Sequence, residues 1–393
     1  MATKQSATGA VAQIRPNMVP SWLRMLHEIN VTGFLWGGPG SAKSALIKQY
    51  AQQKGLPLYI VHLSQMDTVD LKGIPALVEC SYDHYAPDGT KTTEKSHATA
   101  FFGPNFLPRK EAVLFFDEVN QALPAVLAAA QRIVLDGENE GGWRKHPKTL
   151  IVCAGNRVQD RTNVCVLPSA FDNRLVHAEM SITAADTDTL TTYLTETHGD
   201  DEAGIEALSY VVPYLGFKPD AAYKFDPNGP RDGVHGQPTW RTWEMLLREA
   251  RTFFAAGLKL SDPLFATLAL GTIGTSVGTE FMSFTRVREQ LAKSDPKLLL
   301  AGDKSWQPPK EVDVAWAFAG ALAPLVNKKT YKRALEGVDA MRTGGRKDLT
   351  IVALRLIIKA YGDIVATPEF ISMASQYANV VGFGNRRAAR SSR

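Results

Sequence analysis

The stretch GGPGSAKS, residues 37–44, lies between an apolar run (VTGFLW, 31–36) and a helix-compatible one (SALIKQYAQQK, 44–54) that Gly55 and Pro57 close. β-branched and aromatic residues make the first run a strand. Gly37, Gly38, Pro39 and Gly40 then break any regular structure. Strand, glycine-rich loop and helix in that order form a phosphate cradle. Small residues let backbone N–H groups curl around phosphate oxygens, and the helix N-terminus adds partial positive charge. The expected nucleotide-binding set is Gly37, Gly38, Pro39, Gly40, Ser41, Ala42, Lys43, Ser44 and Ala45. Lys43 would reach the β- and γ-phosphates of a nucleotide, and the Ser44 hydroxyl would bind Mg2+. One position departs from GxxxxGK[ST]: the sixth is Ala42, not glycine.

A second motif, AVLFFDEVNQA, occupies residues 112–122. Its five apolar residues, 112–116, have the length and composition of a buried parallel strand. Such a strand delivers its next residues to the carboxyl edge of the sheet, where ligands of open α/β sheets bind. Those next residues are Asp117 and Glu118. Asp117 would hold Mg2+ through its water shell, and Glu118 would polarise the water that attacks the γ-phosphate, as a general base. Loop and acid pair together imply binding and hydrolysis of a nucleoside triphosphate.

At 393 residues the chain is long enough for two or three packed domains. Its 45% hydrophobic and 21% charged residues are an ordinary globular composition. A net charge of +4 is too small to argue for nucleic acid, and the basic cluster RRAARSSR (386–393) reads first as a solvated, frayed tail. Cys80, Cys153 and Cys165 have no metal-ligand spacing, which fits a reducing cytoplasm. Residues 1–16 lack an apolar core of signal-peptide length, so no export is expected. The longest apolar run, 314–326, is too short for a bilayer and contains Gly320 and Pro324. It reads as a buried helix, and no membrane association is expected.

Between and after the two motifs, further elements follow. LYIVHL (58–63) is a second strand. Residues 76–103, with Pro87-Asp88-Gly89 in the middle, read as an inserted β-hairpin, an irregular loop being the alternative that composition also allows. Residues 124–136 are strongly helical, with Pro124 at a first position, and 137–148 suggest a second hairpin tip bearing Trp143 and Arg144. A strand at 149–154 ends in Gly155-Asn156-Arg157. The Asn156 amide both donates and accepts without changing charge, which suits orienting the attacking water. Residues 167–180 give a short helix and a final strand with Arg174 at the junction. In ring-forming ATPases an arginine placed there projects towards the neighbouring subunit's γ-phosphate and contributes roughly 10³–10⁵ in rate. The alternative is an ordinary surface cation.

In this order, loop, acid pair with a following asparagine, strand-end GNR and helix–Asn–Arg, the chain resembles the AAA+ ATPases over roughly residues 15–260, and specifically their MoxR-like branch. GGPGSAKS looks like that branch's loop, in which alanine commonly precedes the lysine, and DEVNQA resembles its DE-x-N-x-A signature. Residues 76–103 match the insert that interrupts the helix after the second strand in this clade, and 137–146 match its pre-sensor hairpin. The resemblance gives Asn156 the sensor 1 role and Arg174 the arginine-finger role. GQPTWRTWEML (236–246) is similar to the sensor 2 segment, with Trp240-Arg241 where many relatives carry Pro-Arg. Arg241 would then contact the γ-phosphate of its own subunit.

The expected fold class is α/β: an AAA+ P-loop core with a parallel sheet and flanking helices, then an all-helical lid and a C-terminal helical extension. The expected divisions are a flexible N-terminus (1–14), the nucleotide-binding domain (15–182), the lid (183–294), the extension (295–385) and a basic tail (386–393). Helices are expected at 186–197, 203–214, 239–256, 263–273, 312–326, 330–341, 347–361 and 368–380. The resemblance implies a homo-oligomeric ring, most often a hexamer, that turns ATP and water into ADP and phosphate in the cytoplasm. It also implies a protein partner with a von Willebrand factor A domain, and Trp143 and Arg144 would face the pore or that partner. The alternative is a nucleic-acid translocase or restriction-type motor, with Lys91, Lys95, Arg144, Lys145 and the tail on phosphates. A ring that binds ATP without turning it over is a third reading, opposed by the intact Glu118.

Overall fold

The apolar runs that flank the two motifs become the centre of a parallel sheet. In the computed structural model, residues 11–160, 165, 167–229, 236–342 and 347–375 are described. The chain divides into two units, the first ending at Ser181 and the second starting at Ile182.

The first unit runs β1 (Gln13–Ile14), α1 (Val19–Ile29), β2 (Gly33–Trp36), α2 (Lys43–Lys54), β3 (Leu58–His62), α3 (Thr68–Lys72), β4 (Ile74–Tyr85), β5 (Lys91–Phe102), β6 (Val113–Asp117), α4 (Pro124–Gln131), β7 (Leu150–Gly155), α5 (Ser169–Asp172) and β8 (Val176–Met180). Its main sheet has the order β1-β8-β2-β7-β6-β3, all neighbours parallel. Phe34, Leu35, Val113–Phe116 and the whole of β7 are buried, as expected of central strands covered on both faces. The N-terminal stretch expected to be flexible contributes β1, whose two residues pair with Glu179 and Met180. A strand that short carries no periodicity to read.

The inserted hairpin is present. β4 and β5 pair antiparallel from Ile74↔Phe102 to Tyr85↔Lys91, and the turn closes with the Ala86 N–H donating to Thr90 O at 2.9 Å. Gly89 sits at φ 84°, a left-handed position that favours glycine. The helix expected over 124–136 is α-helical only as α4 and continues as a π-turn, Arg132–Asp136.

The second tip, 137–148, corrects an expectation. It holds one isolated bridge, Glu138↔Arg144, and Trp143 faces inward. Trp143 is 2% exposed and its indole N–H donates to Pro108 O at 2.9 Å. Asn139 closes the turn, accepting from the Trp143 N–H and donating to Leu71 O of α3. An indole gains more from the core than from water, so Trp143 is a packing residue and only Arg144 is left outside.

The second unit is helical: α6 (Thr187–His198), α7 (Glu202–Phe217), α8 (Trp240–Ala255), α9 (Pro263–Ile273), α10 (Thr275–Glu289), α11 (Pro296–Ala301), α12 (Val312–Leu322), α13 (Tyr331–Arg342), α14 (Lys347–Ala360) and α15 (Pro368–Ser375). Tyr214 of α7 packs against Trp243 of α8 and Phe281 of α10 in its core. α12, expected in a separate extension, lies so close on α7 that Gly320 faces Ser209 O with no room for a side chain. Neither α10 nor α11 was anticipated; the first is rich in Thr, Ser and Gly, and the second is one and a half turns long. The basic tail 386–393 lies outside the described residues. No helix among the described residues is long and apolar enough to cross a membrane.

Candidate nucleotide site

Parallel pairing brings the carboxyl ends of β2, β3, β6 and β7 to one edge of the sheet: Trp36 pairs with Gly155, and His62 with Asp117. β6 is followed there by Glu118 and β7 by Asn156, and β2 by the glycine-rich loop. After Trp36 the loop turns back on the sheet, with the Gly37 N–H donating to Gly155 O at 3.2 Å and the Ser41 N–H to Gly38 O at 3.3 Å. Ala42 caps α2 in the left-handed conformation, φ 65° and ψ 25°. A glycine would adopt that geometry freely; alanine takes it at a cost on the order of 1–2 kcal/mol.

Lys43 is 9% exposed and its ammonium donates to Gly37 O at 2.8 Å, Gly38 O at 3.1 Å and Asn156 Oδ1 at 3.2 Å. The Ser44 hydroxyl donates to Asp117 Oδ2 at 2.6 Å. Asp117 Oδ1 accepts the Glu118 N–H at 2.9 Å. Glu118 is itself left-handed, φ 54°. That backbone turns the chain sharply off β6, and Glu118 Oε2 accepts the Ser64 hydroxyl at 2.5 Å. Lys43, Ser44, Asp117, Glu118 and Asn156, drawn from three separate stretches, therefore form one connected constellation. Backbone strain of this kind, held by surrounding structure, is characteristic of functional sites.

Three residues outside the expected set complete the geometry. Asn120, 1% exposed, grips the Asn156 backbone on both sides: its amide donates to Asn156 O at 2.7 Å and its Oδ1 accepts the Asn156 N–H at 3.2 Å. Gly155 permits this approach, since a Cβ there would stand 2.5 Å from Asn120 Oδ1. Ser64 holds Glu118. Arg157 donates to Asp160 from 2.7 Å and to Glu179 from 3.2 Å. Hydrogen bonding to Asp160 holds its guanidinium above the ordinary range, so it is an anchored cation and not a mobile one. DEVNQA does contain Asn120, but nothing in its spacing says whose backbone it grips. Arg157 belongs to the strand-end GNR, whose spacing does not give its partners, and Ser64 carries no sequence signal beyond adjacency to a strand end.

Ser44 and Asp117 offer hard oxygen donors side by side, which suits Mg2+, a cation that takes few protein ligands and completes its shell with water and phosphate. No cluster of three or more His, Cys, Asp or Glu that could hold a metal exists among the described residues.

Arg174 stands elsewhere. It precedes β8, whose first residue Val176 pairs with Gly33, so it lies at the opposite edge of the sheet from the loop of its own chain. It is exposed, with Asp136 Oδ1 at 3.6 Å. Arg241 belongs to the second unit, exposed on the first turn of α8 between buried Trp240 and Trp243, behind a Thr239–Thr242 capping box.

Among the described residues, the basic side chains that a nucleic-acid reading would use have protein partners. Lys91 pairs with Asp83 at 3.0 Å, Lys95 with Glu79 at 2.9 Å and Arg144 with Glu138 at 3.3 Å, while Lys145 donates to Asn30 Oδ1 at 2.7 Å. The β4–β5 hairpin carries Glu79, Asp83, Asp88 and Glu94 against Lys91 and Lys95. With its two histidines neutral its formal charge is −2, which does not favour phosphate.

Fold and loop together define a P-loop nucleoside triphosphatase. Residues 33–175 match the family model of the AAA domain, dynein-related subfamily; the chain thus carries an AAA+ ATPase domain and hydrolyses ATP. No curated protein matches the chain. Similar solved structures include a candidate ATPase of Cytophaga hutchinsonii, 16% identical over 63% of this chain and 77% of that one, TM-score 0.33. Two mutant forms of Thermotoga maritima RuvB are each 14% identical over 81% of this chain, covering 86% and 83% of theirs, with TM-scores of 0.37 and 0.36.

Proposed function

We propose that the protein is a MoxR-like AAA+ motor that assembles into a ring, shares each ATP site between adjacent subunits and remodels a protein partner. The observation that carries this reading is the position of Arg174. It is exposed at the sheet edge opposite its own loop, where it serves no phosphate of its own chain. A cation so placed is useful to a neighbour.

In the cycle, the loop N–H groups and Lys43 bind the triphosphate, and Ser44 with Asp117 hold Mg2+, which when bound neutralises developing phosphate charge. Glu118 takes the proton of the attacking water as general base, and Ser64 sets where its carboxylate rests until then. Asn156, fixed by Asn120, orients that water and touches Lys43. Arg174 of one subunit stabilises the transferring phosphoryl group in the next. Arg241 reports the nucleotide state to the helical unit.

A protein partner is favoured over nucleic acid by the negative hairpin and by the partners of Lys91, Lys95, Arg144 and Lys145. The test mixes two inactive proteins. Arg174→Ala subunits keep Glu118, and Glu118→Gln subunits keep Arg174, so mixed rings should recover ATP turnover. No recovery at any ratio would remove the shared site. ATP turnover measured with single- or double-stranded DNA at two salt concentrations should show no steep salt-dependent stimulation.

A further inference from the structure

Across one face of the first unit's sheet, a polar link joins the two edges that the proposed function uses separately. Trp36 is the last residue before the phosphate loop. Its indole N–H donates to His177 Nδ1 at 3.0 Å. His177 Nε2 lies 2.8 Å from Asp172 O and 3.4 Å from Asp172 Oδ1. The tautomer follows from the partners: Trp36 can only donate, so Nδ1 accepts, and Nε2 carries the proton that Asp172 O receives. Phe34, Trp36 and His177 stack as a set, Phe34 on Trp36 at 4.2 Å and Trp36 on His177 at 6.0 Å between ring centroids.

Asp172 O is the final carbonyl of α5, a helix of a single turn with little stability of its own. That oxygen also accepts the Leu175 N–H at 3.3 Å, and the Arg174 N–H donates to Phe171 O at 3.4 Å. His177 therefore anchors the turn from which Arg174 projects. The Asp136 pair, exposed on both sides, is too weak to do so.

We propose that His177 is a positioning residue of the ATPase: it transmits the state of the phosphate loop, through Trp36, to the turn that presents Arg174 to the neighbouring subunit. The proposal rests on the reading of Arg174 as a residue acting in trans. A loop that tightens on a triphosphate pulls on Trp36, and the imidazole passes that displacement to the Asp172 carbonyl. The link requires both hydrogen bonds and the neutral ring.

The test uses the full chain. His177→Phe keeps an aromatic ring in the stack and removes both hydrogen bonds. It should lower kcat about tenfold while KM and the affinity for a fluorescent ATP analogue stay near those of the unaltered protein. Trp36→Phe, which removes the donor alone, should lose a similar factor. His177→Gln offers an acceptor and a donor and should recover at least half of the turnover. In an Arg174→Lys background, which leaves measurable turnover, His177→Phe should cause little further loss, because the cation it positions is already displaced. Equal losses in both backgrounds, or full turnover in His177→Phe, would overturn the positioning role. An Arg174→Ala protein with undiminished turnover overturns instead the trans reading of Arg174, and the proposal falls with it for that separate reason.

Discussion

The Lys43 ammonium and Asn156 Oδ1 meet at 3.2 Å, joining the loop after β2 to the end of β7. The contact fixes what each substitution at 156 should do. Asn156→Ala removes a neutral acceptor that Lys43 can replace with phosphate, so nucleotide affinity should hold while kcat falls on the order of 10²-fold. Asn156→Asp places a carboxylate against the ammonium, which then competes with the triphosphate. Affinity should fall in that variant before turnover is considered. Binding of a fluorescent ATP analogue and steady-state turnover, measured on both, separate the two effects; equal affinities would show that Lys43 and Asn156 do not interact during binding.

Asn120 contributes no group to the substrate and yet holds Asn156 by its backbone. Asn120→Leu takes from the part-buried Asn156 N–H and carbonyl their side-chain partner, at a cost of up to about 1–3 kcal/mol for each group left unpaired. Both melting temperature and turnover should drop. Asn120→Asp can still accept from the N–H but cannot donate to the carbonyl, so it should fall between. Thermal unfolding of the two variants checks the order, and an Asn120→Leu protein as stable as the parent contradicts it.

Much of this site was legible in the sequence because loop and strand chemistry are local. Strand, glycines, Lys43 and Ser44 announce a phosphate cradle within a dozen residues, and five apolar residues ending in Asp117 and Glu118 announce a buried strand with its acids at the sheet edge. The inward turn of Trp143 was not legible. Its partners, Pro108 O and the Asn139 turn, are brought together by folding, and Gly-rich flanks read equally as an exposed tip. Ser64 and Asn120 were missed for the same reason: a hydroxyl after one strand and an amide after another acquire meaning only when parallel pairing sets them beside Glu118 and Asn156. In the helical unit, α10 escaped notice because propensity is a weak guide where burial decides, and Phe281 and Phe284 hold that helix through the core.

Ala42 sets two opposing terms against each other. At φ 65° an alanine is strained by roughly 1–2 kcal/mol, whereas a glycine there would loosen the unfolded chain by about 0.4–1 kcal/mol. The difference predicts that Ala42→Gly is neutral to stabilising by less than about 1.5 kcal/mol. A β-branched side chain fits the left-handed region worst, so Ala42→Val should destabilise the protein and weaken nucleotide binding together. Denaturant midpoints of the two variants give the sign. A marked loss in Ala42→Gly would mean that the alanine methyl packs usefully in the loop.

Glu249 on α8 links pH to the stability of the helical unit. Its Oε1 accepts the Thr272 hydroxyl at 2.8 Å, and its Oε2 is buried without a hydrogen-bond partner among the described residues. Burial raises this carboxyl above its ordinary value of 4.5, and the Thr272 hydrogen bond opposes the rise only in part. The folded state therefore holds the proton more tightly than the unfolded chain does. The stability that this confers is full below about pH 4.5 and is lost as pH rises through the raised native value. Above that raised value the folded protein carries a half-buried, half-satisfied carboxylate. Glu249→Gln keeps the acceptor for Thr272 and removes the charge. For a unit of this size, a gain below about 1 kcal/mol corresponds to about 2 °C in melting temperature at pH 7. At pH 4 the native carboxyl is already protonated in the parent, so the two proteins should melt together. A difference that is the same at both pH values would mean that the charge of Glu249 is not what destabilises this helix.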